Sequence, residues 1–365
     1  MKYFSKTISK ILSLATAGII IFFAAQASAQ SRVYLGTDNT GTASAEADAN
    51  AADTGNLSDT TQMERQTQWN AISKKNLPAM PEAPVEAMDL NAIMQPERCG
   101  FMECLPMVPL QDDVYYTVQE RVTVSQQAAM WGVPSNVLTA LNDNLSPETI
   151  LAPGQKLLAD ARLASEPVPY SRGKSSRGRL YHGRLMPEGE GYFLRSSRPR
   201  SWGTDTTIQS LMTVFHAYHE TFPGAHPINV GDISKRRGGK IKPHASHQSG
   251  RDVDLGFVHT VGPDEHHPEH FIRANADNLD VEKTWFIVES LIRTGNVKTI
   301  YVDRTVMAML YAFASKNLSP RQKERIFSNP RHENSASSIL QHWPGHRNHL
   351  HVRFYCPPEQ PGCRN

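Results

Sequence analysis

Two short segments of the chain concentrate side chains that can bind a metal ion. His244, His247, Asp252 and Asp254 fall within HASHQSGRDVD, and His346, His349 and His351 fall within GHRNHLHV. Ten of the fifteen histidines lie in residues 244–270 and 342–351, so the clustering is a property of these regions and not of the composition. Imidazole nitrogens and a carboxylate are the ligand types of a catalytic zinc ion, which three side chains hold while a water fills the fourth position. Bound there, water becomes a nucleophile near neutral pH. An isolated HxH or HxxH is a common surface feature; the two segments together carry the signal.

These side chains need elements that aim them at one point. In a strand, successive side chains alternate between faces, so Asp252 and Asp254 share one face and Val253 and Leu255 the other. Gly250 allows the chain to turn so that a histidine on the preceding loop meets these carboxylates. A strand over Leu350–Phe354 sets His349 and His351 side by side, with Leu350 and Val352 toward a core. Nothing in this geometry prefers Asp254 to Asp252 as a ligand. Around these strands, Ile208, Leu211, Met212, Phe215 and Tyr218 recur at helical spacing over Thr206–Phe222, with Asp205 as the cap and Pro223-Gly224 as the stop. His216 and His219 lie at the edge of that stripe and on it, and are read as helix residues at the core boundary. Further helices are predicted over Val281–Arg293 and Val306–Lys316, and strands over Ile228–Ile233, Val253–Val258 and Val297–Val302. Strand and helix do not alternate regularly, which predicts an α+β domain with an antiparallel sheet and flanking helices. His259, His266, His267 and His270 match no closed ligand set and read as a solvated loop.

The spacing His247, six residues, Asp254, and far downstream His349-Leu350-His351 resembles the ligand pattern of the lysostaphin and D-alanyl-D-alanine metallopeptidase superfamily. Within it the sequence is similar to the penicillin-insensitive murein endopeptidase family. His244, Gly345-His346, Cys356 and Cys363 fit that likeness, as do Gly178-Arg179-Leu180, Met186-Pro187, Gly191-Tyr192 and the stretch Arg198–Gly203. The likeness covers roughly 175–365. It implies zinc bound by His247, Asp254 and His351. It also implies that His349 acts as general base or oxyanion stabiliser, with His346 and His244 as supporting catalytic groups. Asp252 is left either behind the ligands or as a structural residue. Some superfamily members place a glutamate base shortly before the HxH; none lies between Ser335 and His351, which favours histidine. The implied reaction is hydrolysis of the D-alanyl to meso-diaminopimelyl crosslink of peptidoglycan without a serine nucleophile. A D,D- or L,D-carboxypeptidase or dipeptidase of the same superfamily would use the same ligands, and a non-catalytic wall-binding protein is the third possibility.

The rest of the chain bears on where this chemistry happens. Lys2, Lys6 and Lys10 precede an apolar run, Ile11–Ala25, and then Ala27-Ser28-Ala29, the pattern of a signal peptide over residues 1–29. Export to the periplasm is therefore expected. Residues 30–96 have few aromatics and no sustained period and read as a disordered low-complexity tether. Residues 97–160 hold Tyr116-Thr117-Val118, helical runs at Val124–Trp131 and Ser135–Asn142, Asn142 itself, and the ending Leu151–Leu157. This segment resembles a LysM module (βααβ), which implies binding of N-acetylglucosamine-containing glycans. Where that family carries Gly-Asp-Thr, this chain has Glu120-Arg121-Val122-Thr123, so a module that only spaces or docks the catalytic domain is equally open. Residues 161–175 read as a linker and 176–365 as the metallopeptidase domain. Cys99 with Cys104 and Cys356 with Cys363 read as local disulfides of an oxidising compartment, although spacing alone does not fix pairing. A net charge of +2 does not by itself point to a polyanion or nucleic acid.

Overall fold

A computed structural model describes residues 100–163, 165–195, 198–260, 270–327, 338–357 and 359–365. The signal peptide and tether expected over 1–96 lie outside these residues, as do His266 and His267. Among the described residues, no helix is long and apolar enough to cross a membrane.

The site rests on a six-stranded sheet formed by β8 (Tyr192–Leu194), β10 (Ile228–Val230), β11 (Asp252–Gly256), β12 (Val297–Val302), β13 (Leu340–His342) and β14 (His349–Phe354). Their order is β13-β12-β14-β11-β10-β8. The four central strands pair antiparallel, as expected, but both edges depart from that expectation: β12 with β13 and β10 with β8 are parallel. The cause is a helical crossover, which a parallel pair requires. Helix α3 (Asp205–Thr221) lies between β8 and β10, and α5 (Arg304–Ala314) with α6 (Pro320–Ile326) lies between β12 and β13.

Alternation divides the central strands by chemistry. Val253, Leu255, Leu350, Val352, Phe354, Ile300 and Val302 are fully buried and join one core with Ile287, Val288 and Leu291 of α4 (Val281–Arg293). The opposite face carries the polar site. The helices form where apolar periodicity places them, and their caps set the ends. Thr204, not Asp205, caps α3 by accepting the Thr207 N–H. Asp205 becomes the first helical residue, where a carboxylate faces the positive helix end, and it accepts from Arg184 Nε at 2.6 Å. Asp280 and Asp303 cap α4 and α5, so α5 starts at Arg304, two residues before the expected Val306. Ser319 and Gln322 form a capping box that starts α6, a helix not expected from the sequence.

The N-terminal part is a β-α-α-β unit. Strand β1 (Asp113–Thr117) pairs antiparallel with β4 (Lys156–Ala161), and β2 (Val122–Thr123) pairs with β3 (Ile150–Leu151). Between β2 and β3 run α1 (Val124–Trp131) and α2 (Ser135–Leu141). Thr123 caps α1 in a reciprocal box with Gln126, and Asn142 ties α2 to β4 by bonds to the Leu138 carbonyl and to both backbone groups of Leu158. The unit is packed onto the larger domain. Tyr116 Oη donates to the Met186 carbonyl at 2.6 Å, and the Thr117 N–H and hydroxyl both donate to Glu188 Oε2. A Cβ at Gly132 would lie 2.7 Å from Pro199 Cα, so the backbones touch there.

The segment expected as a linker, 161–175, is structured at its end. Tyr170–Lys174 forms β5, which pairs with β6 (Arg177–Tyr181) in a tight hairpin, and β7 (Arg184–Leu185) then pairs antiparallel with β9 (Trp202–Gly203). Alternating exposure had masked this strand, because Ser171 is its one fully buried residue. Cys356 and Cys363 form the expected disulfide. Cys104 is disulfide-bonded too; Cys99 lies outside the described residues.

Candidate metal centre

Asp254 and His351 are directly opposed residues of β11 and β14, with Gly256 opposite His349 and Asp252 opposite Arg353. Both carboxylates and both HxH histidines therefore share one face of the sheet. His247 arrives from the preceding loop, where Gly250 (φ 72°) turns the chain and His247 itself adopts φ 63°. A non-glycine residue in the left-handed region is strained by about 1–3 kcal/mol, so its surroundings must hold it there. They do: the His247 N–H donates to Asp252 Oδ2 at 3.1 Å, and its Nδ1 faces the Ile233 carbonyl at 3.1 Å.

Three atoms converge. His247 Nε2 lies 3.2 Å from His351 Nδ1 and 3.2 Å from Asp254 Oδ1, and His351 Nδ1 lies 3.0 Å from the same oxygen. All three residues are buried. The outer ring atoms fix the tautomers. The Ile233 carbonyl and the Asp252 carboxylate only accept, so His247 Nδ1 and His351 Nε2 carry the protons. Unless a second proton on His351 occupies Nδ1, the inner nitrogens present lone pairs to each other and to a carboxylate, an arrangement that a metal cation between them relieves. Tetrahedral zinc with ligands at about 2.1 Å would separate its donors by about 3.4 Å, close to the observed triangle. His244 offers a second, overlapping group: donor atoms of His244, His247 and Asp254 lie within 4.8 Å of one another. His244 Nδ1 is 3.7 Å from Asp254 Oδ2, so the triad with His351 is the tighter of the two.

The electrostatics express the same demand for positive charge. Burial alone would raise Asp254, but His247 and His351 outweigh it and hold the carboxyl well below the usual carboxylate range. Asp252 is likewise held low against burial, by the His351 bond, Arg353 and His247. In the metal-free protein burial would lower His351, yet its bonds to Asp252 and Asp254 push it up to about 9.

Asp252, left open by the sequence, stands behind His247 and His351. Its Oδ1 accepts from His351 Nε2 at 3.2 Å and from Arg353 Nε at 2.7 Å, and its Oδ2 accepts from His247. Such partners orient metal-binding imidazoles. His349 is brought to the rim, with Nε2 3.7 Å from Asp254 Oδ1, Nδ1 2.7 Å from Asn348 Oδ1, and its ring stacked on Phe271. The His346 ring lies 4.8 Å from it. Burial pushes His349 down to about 4 and lowers His346, so both are neutral at neutral pH. His244 Nε2 donates to Asp232 Oδ2 at 2.9 Å, and Arg200 Nη1 donates to the same oxygen at 2.8 Å. Burial works against the Asp232 charge, but these two bonds keep the carboxyl below its ordinary range.

Asp232, Arg200, Tyr301 and Arg353 were not singled out in the sequence. Arg353 carried a signal, since it continues the period-two pattern of His349 and His351. Tyr301 sits opposite His351 on β12, a register that no local pattern discloses. His259 is not on a solvated loop: it is buried and bonded to the Asn278 carbonyl. His216 is exposed and His219 pairs with Glu190, as helix-surface residues.

His244, His247 and Asp254 could hold a metal ion, His351 closes on the last two, and neutral His346 and His349 stand nearby, a combination that suits a metal-dependent hydrolase. Comparison with known proteins gives the family. Residues 171–365 match the model of the penicillin-insensitive murein endopeptidase family, and the chain belongs to that family. A penicillin-insensitive murein endopeptidase of Haemophilus influenzae is 26% identical over 226 residues, covering 56% of this chain and 72% of that protein. One from Pectobacterium atrosepticum is 26% identical over 231 residues, covering 59% and 78%. The chain is thus a peptidase of murein-hydrolase type.

Proposed function

We propose that this protein is a zinc-dependent endopeptidase that hydrolyses D-alanyl to meso-diaminopimelyl crosslinks of peptidoglycan in the periplasm. The observation that carries this reading is the triangle of lone-pair-bearing atoms, His247 Nε2, Asp254 Oδ1 and His351 Nδ1, at 3.0–3.2 Å. These three would hold the ion. When bound, zinc would polarise the scissile carbonyl and acidify a water. The residues supply the rest. Asp252 and the Ile233 carbonyl keep both imidazoles in the ligating tautomer. With His349 Nδ1 donating to Asn348, Nε2 keeps a lone pair facing the site, suited to accept the proton of an attacking water. His349, once it carries the proton taken from the water, would return it to the leaving amine, with neutral His346 beside it and His244, anchored on Asp232, as supporting groups.

The β-α-α-β unit of residues 113–161 supports a LysM-like reading, in which it would present glycan strands to the domain it packs on. Its contacts through Tyr116 and Thr117 favour a fixed placement over a tethered one.

The test is digestion of purified muropeptides followed by mass spectrometry. Crosslinked dimers should become monomers, a chelator should stop this, zinc should restore it, and penicillin should have no effect. Dimers left intact by zinc-loaded protein would overturn the endopeptidase reading, and release of D-alanine from uncrosslinked stems would favour the carboxypeptidase.

A further inference from the structure

A second feature lies beside the metal centre and takes no part in it. The β5–β6 hairpin and the C-terminal tail enclose a cleft of about 670 Å³ lined by Arg172, Lys174, Ser176, Arg177 and Arg364. The hairpin register sets like charges opposite one another: Arg172 faces Arg179, and Lys174 faces Arg177. Like charges directly opposed in a ladder destabilise it. The tail adds to them. The Arg364 N–H donates to the Gly173 carbonyl and the Gly173 N–H to the Gly362 carbonyl, which pins Arg364 against the hairpin.

None of the ion pairs among the described residues uses Arg172, Lys174, Arg177, Arg179 or Arg364. Behind the cleft, fully buried Arg251 donates only to neutral acceptors: Ser171 Oγ, Asn365 Oδ1 and the carbonyls of Phe354 and Arg364. Lys298 is depressed by burial and then by Arg353, Arg251 and Lys174, which reports the same positive field. The net charge of the chain is only +2, so the field is local and built. The Gln248 N–H donates to the Ser175 carbonyl at the hairpin turn, one residue from His247, so cleft and metal centre share a loop.

Arg172 with Arg179 and Lys174 with Arg177 stand on two rungs of the same hairpin face, so the charge repeats along the ladder, which suits an extended ligand with repeated charges better than a single phosphate. We propose that this cleft binds the carboxylates of peptidoglycan stem peptides, holding a strand next to the metal centre. The proposal rests on peptidoglycan as substrate and is independent of zinc.

The test compares the full-length exported protein with the triple variant Lys174→Gln, Arg177→Gln, Arg364→Gln, none of which touches the metal-centre residues. Binding is measured to soluble uncrosslinked peptidoglycan strands, to the same strands with carboxyls converted to amides, and to phosphatidylglycerol vesicles. The parent should bind native strands about tenfold more tightly than the variant at low ionic strength, from three exposed charge contacts of ordinary strength. On amidated strands the two should bind equally. Equal binding to native strands, a difference that survives amidation, or a difference seen only on vesicles would each overturn the proposal. Thermal unfolding and a charge-keeping Lys174→Arg, Arg177→Lys variant, expected to bind like the parent, show that charge and not hairpin integrity is read. Failure of dimer cleavage by the parent would instead refute the endopeptidase reading and leave the strand-binding comparison intact.

Discussion

Replacing Asp252 by asparagine tests whether the second carboxylate acts through the ligands. Asp252 is fully buried and accepts three bonds, from His351 Nε2, Arg353 Nε and the His247 N–H. An asparagine of the same shape has one accepting oxygen and one donating nitrogen, so one side must now oppose a donor with a donor. If the oxygen stays on Arg353 and His351, the His247 backbone loses the partner that supports its φ of 63°. If the amide turns round, His351 must move its proton to Nδ1, which then points into the ligand triangle. Each route forfeits a bond to a charged acceptor, worth about 1.5–3 kcal/mol. Loss of a group that orients a ligand weakens metal binding about 10–100-fold, or roughly 1.4–2.7 kcal/mol. The assay is competition for zinc against a chromophoric chelator at fixed pH, with circular dichroism to establish folding. Zinc affinity in Asp252→Asn within a factor of about two of the parent would refute the reasoning, since every route predicts more than that.

Four further expectations follow from the site and its supports. His247→Ala should abolish both zinc binding and dimer cleavage, read by metal content and muropeptide analysis. A proton on His351 must leave before metal binds, so zinc affinity should fall about tenfold per pH unit below about 9, read by titration between pH 6 and 8. By the same linkage, the raised His351 pKa stabilises the metal-free protein fully below about 6.5, and that contribution is lost as pH rises through about 9; thermal unfolding of chelated protein should show this fall. Tyr116→Phe removes the donor to the Met186 carbonyl and should cost about 1–3 kcal/mol in denaturant unfolding without changing cleavage of small dimers.

The parts of the site that follow from short-range periodicity were legible in the sequence. Alternation alone put Asp252 with Asp254 and His349 with His351, and the structure keeps each pair on one face. Helix α4 begins and ends where its apolar stripe does, with Gly295 (φ 72°) just past it. Long-range pairing was not legible. That Asp254 faces His351 depends on register between strands almost a hundred residues apart, and only the family likeness distinguished Asp254 from Asp252. The Asp232 carboxylate behind His244 was hidden for a similar reason: it lies just beyond β10, which stops at Val230 and not at the expected Ile233. The parallel sheet edges were missed because α3, α5 and α6 act as crossovers that composition does not reveal.

Because Asp254 and His351 are cross-strand partners, their separation is set by the backbone ladder and not by the chain that joins them. Opposed Cα atoms in an antiparallel pair stay about 4.5–5.5 Å apart whatever the length of the connection. The stretch between β11 and β14, which includes α4, α5, α6, β12 and β13, is therefore free to lengthen or change in its loops without altering the ligand geometry. Register within β14 has no such latitude. A slip of one residue would present Leu350 in place of His351 and turn the apolar face toward solvent. The loops around the site can thus change while Asp254 and His351 keep their spacing, and a one-residue insertion inside β14 should be the least tolerated change in the domain.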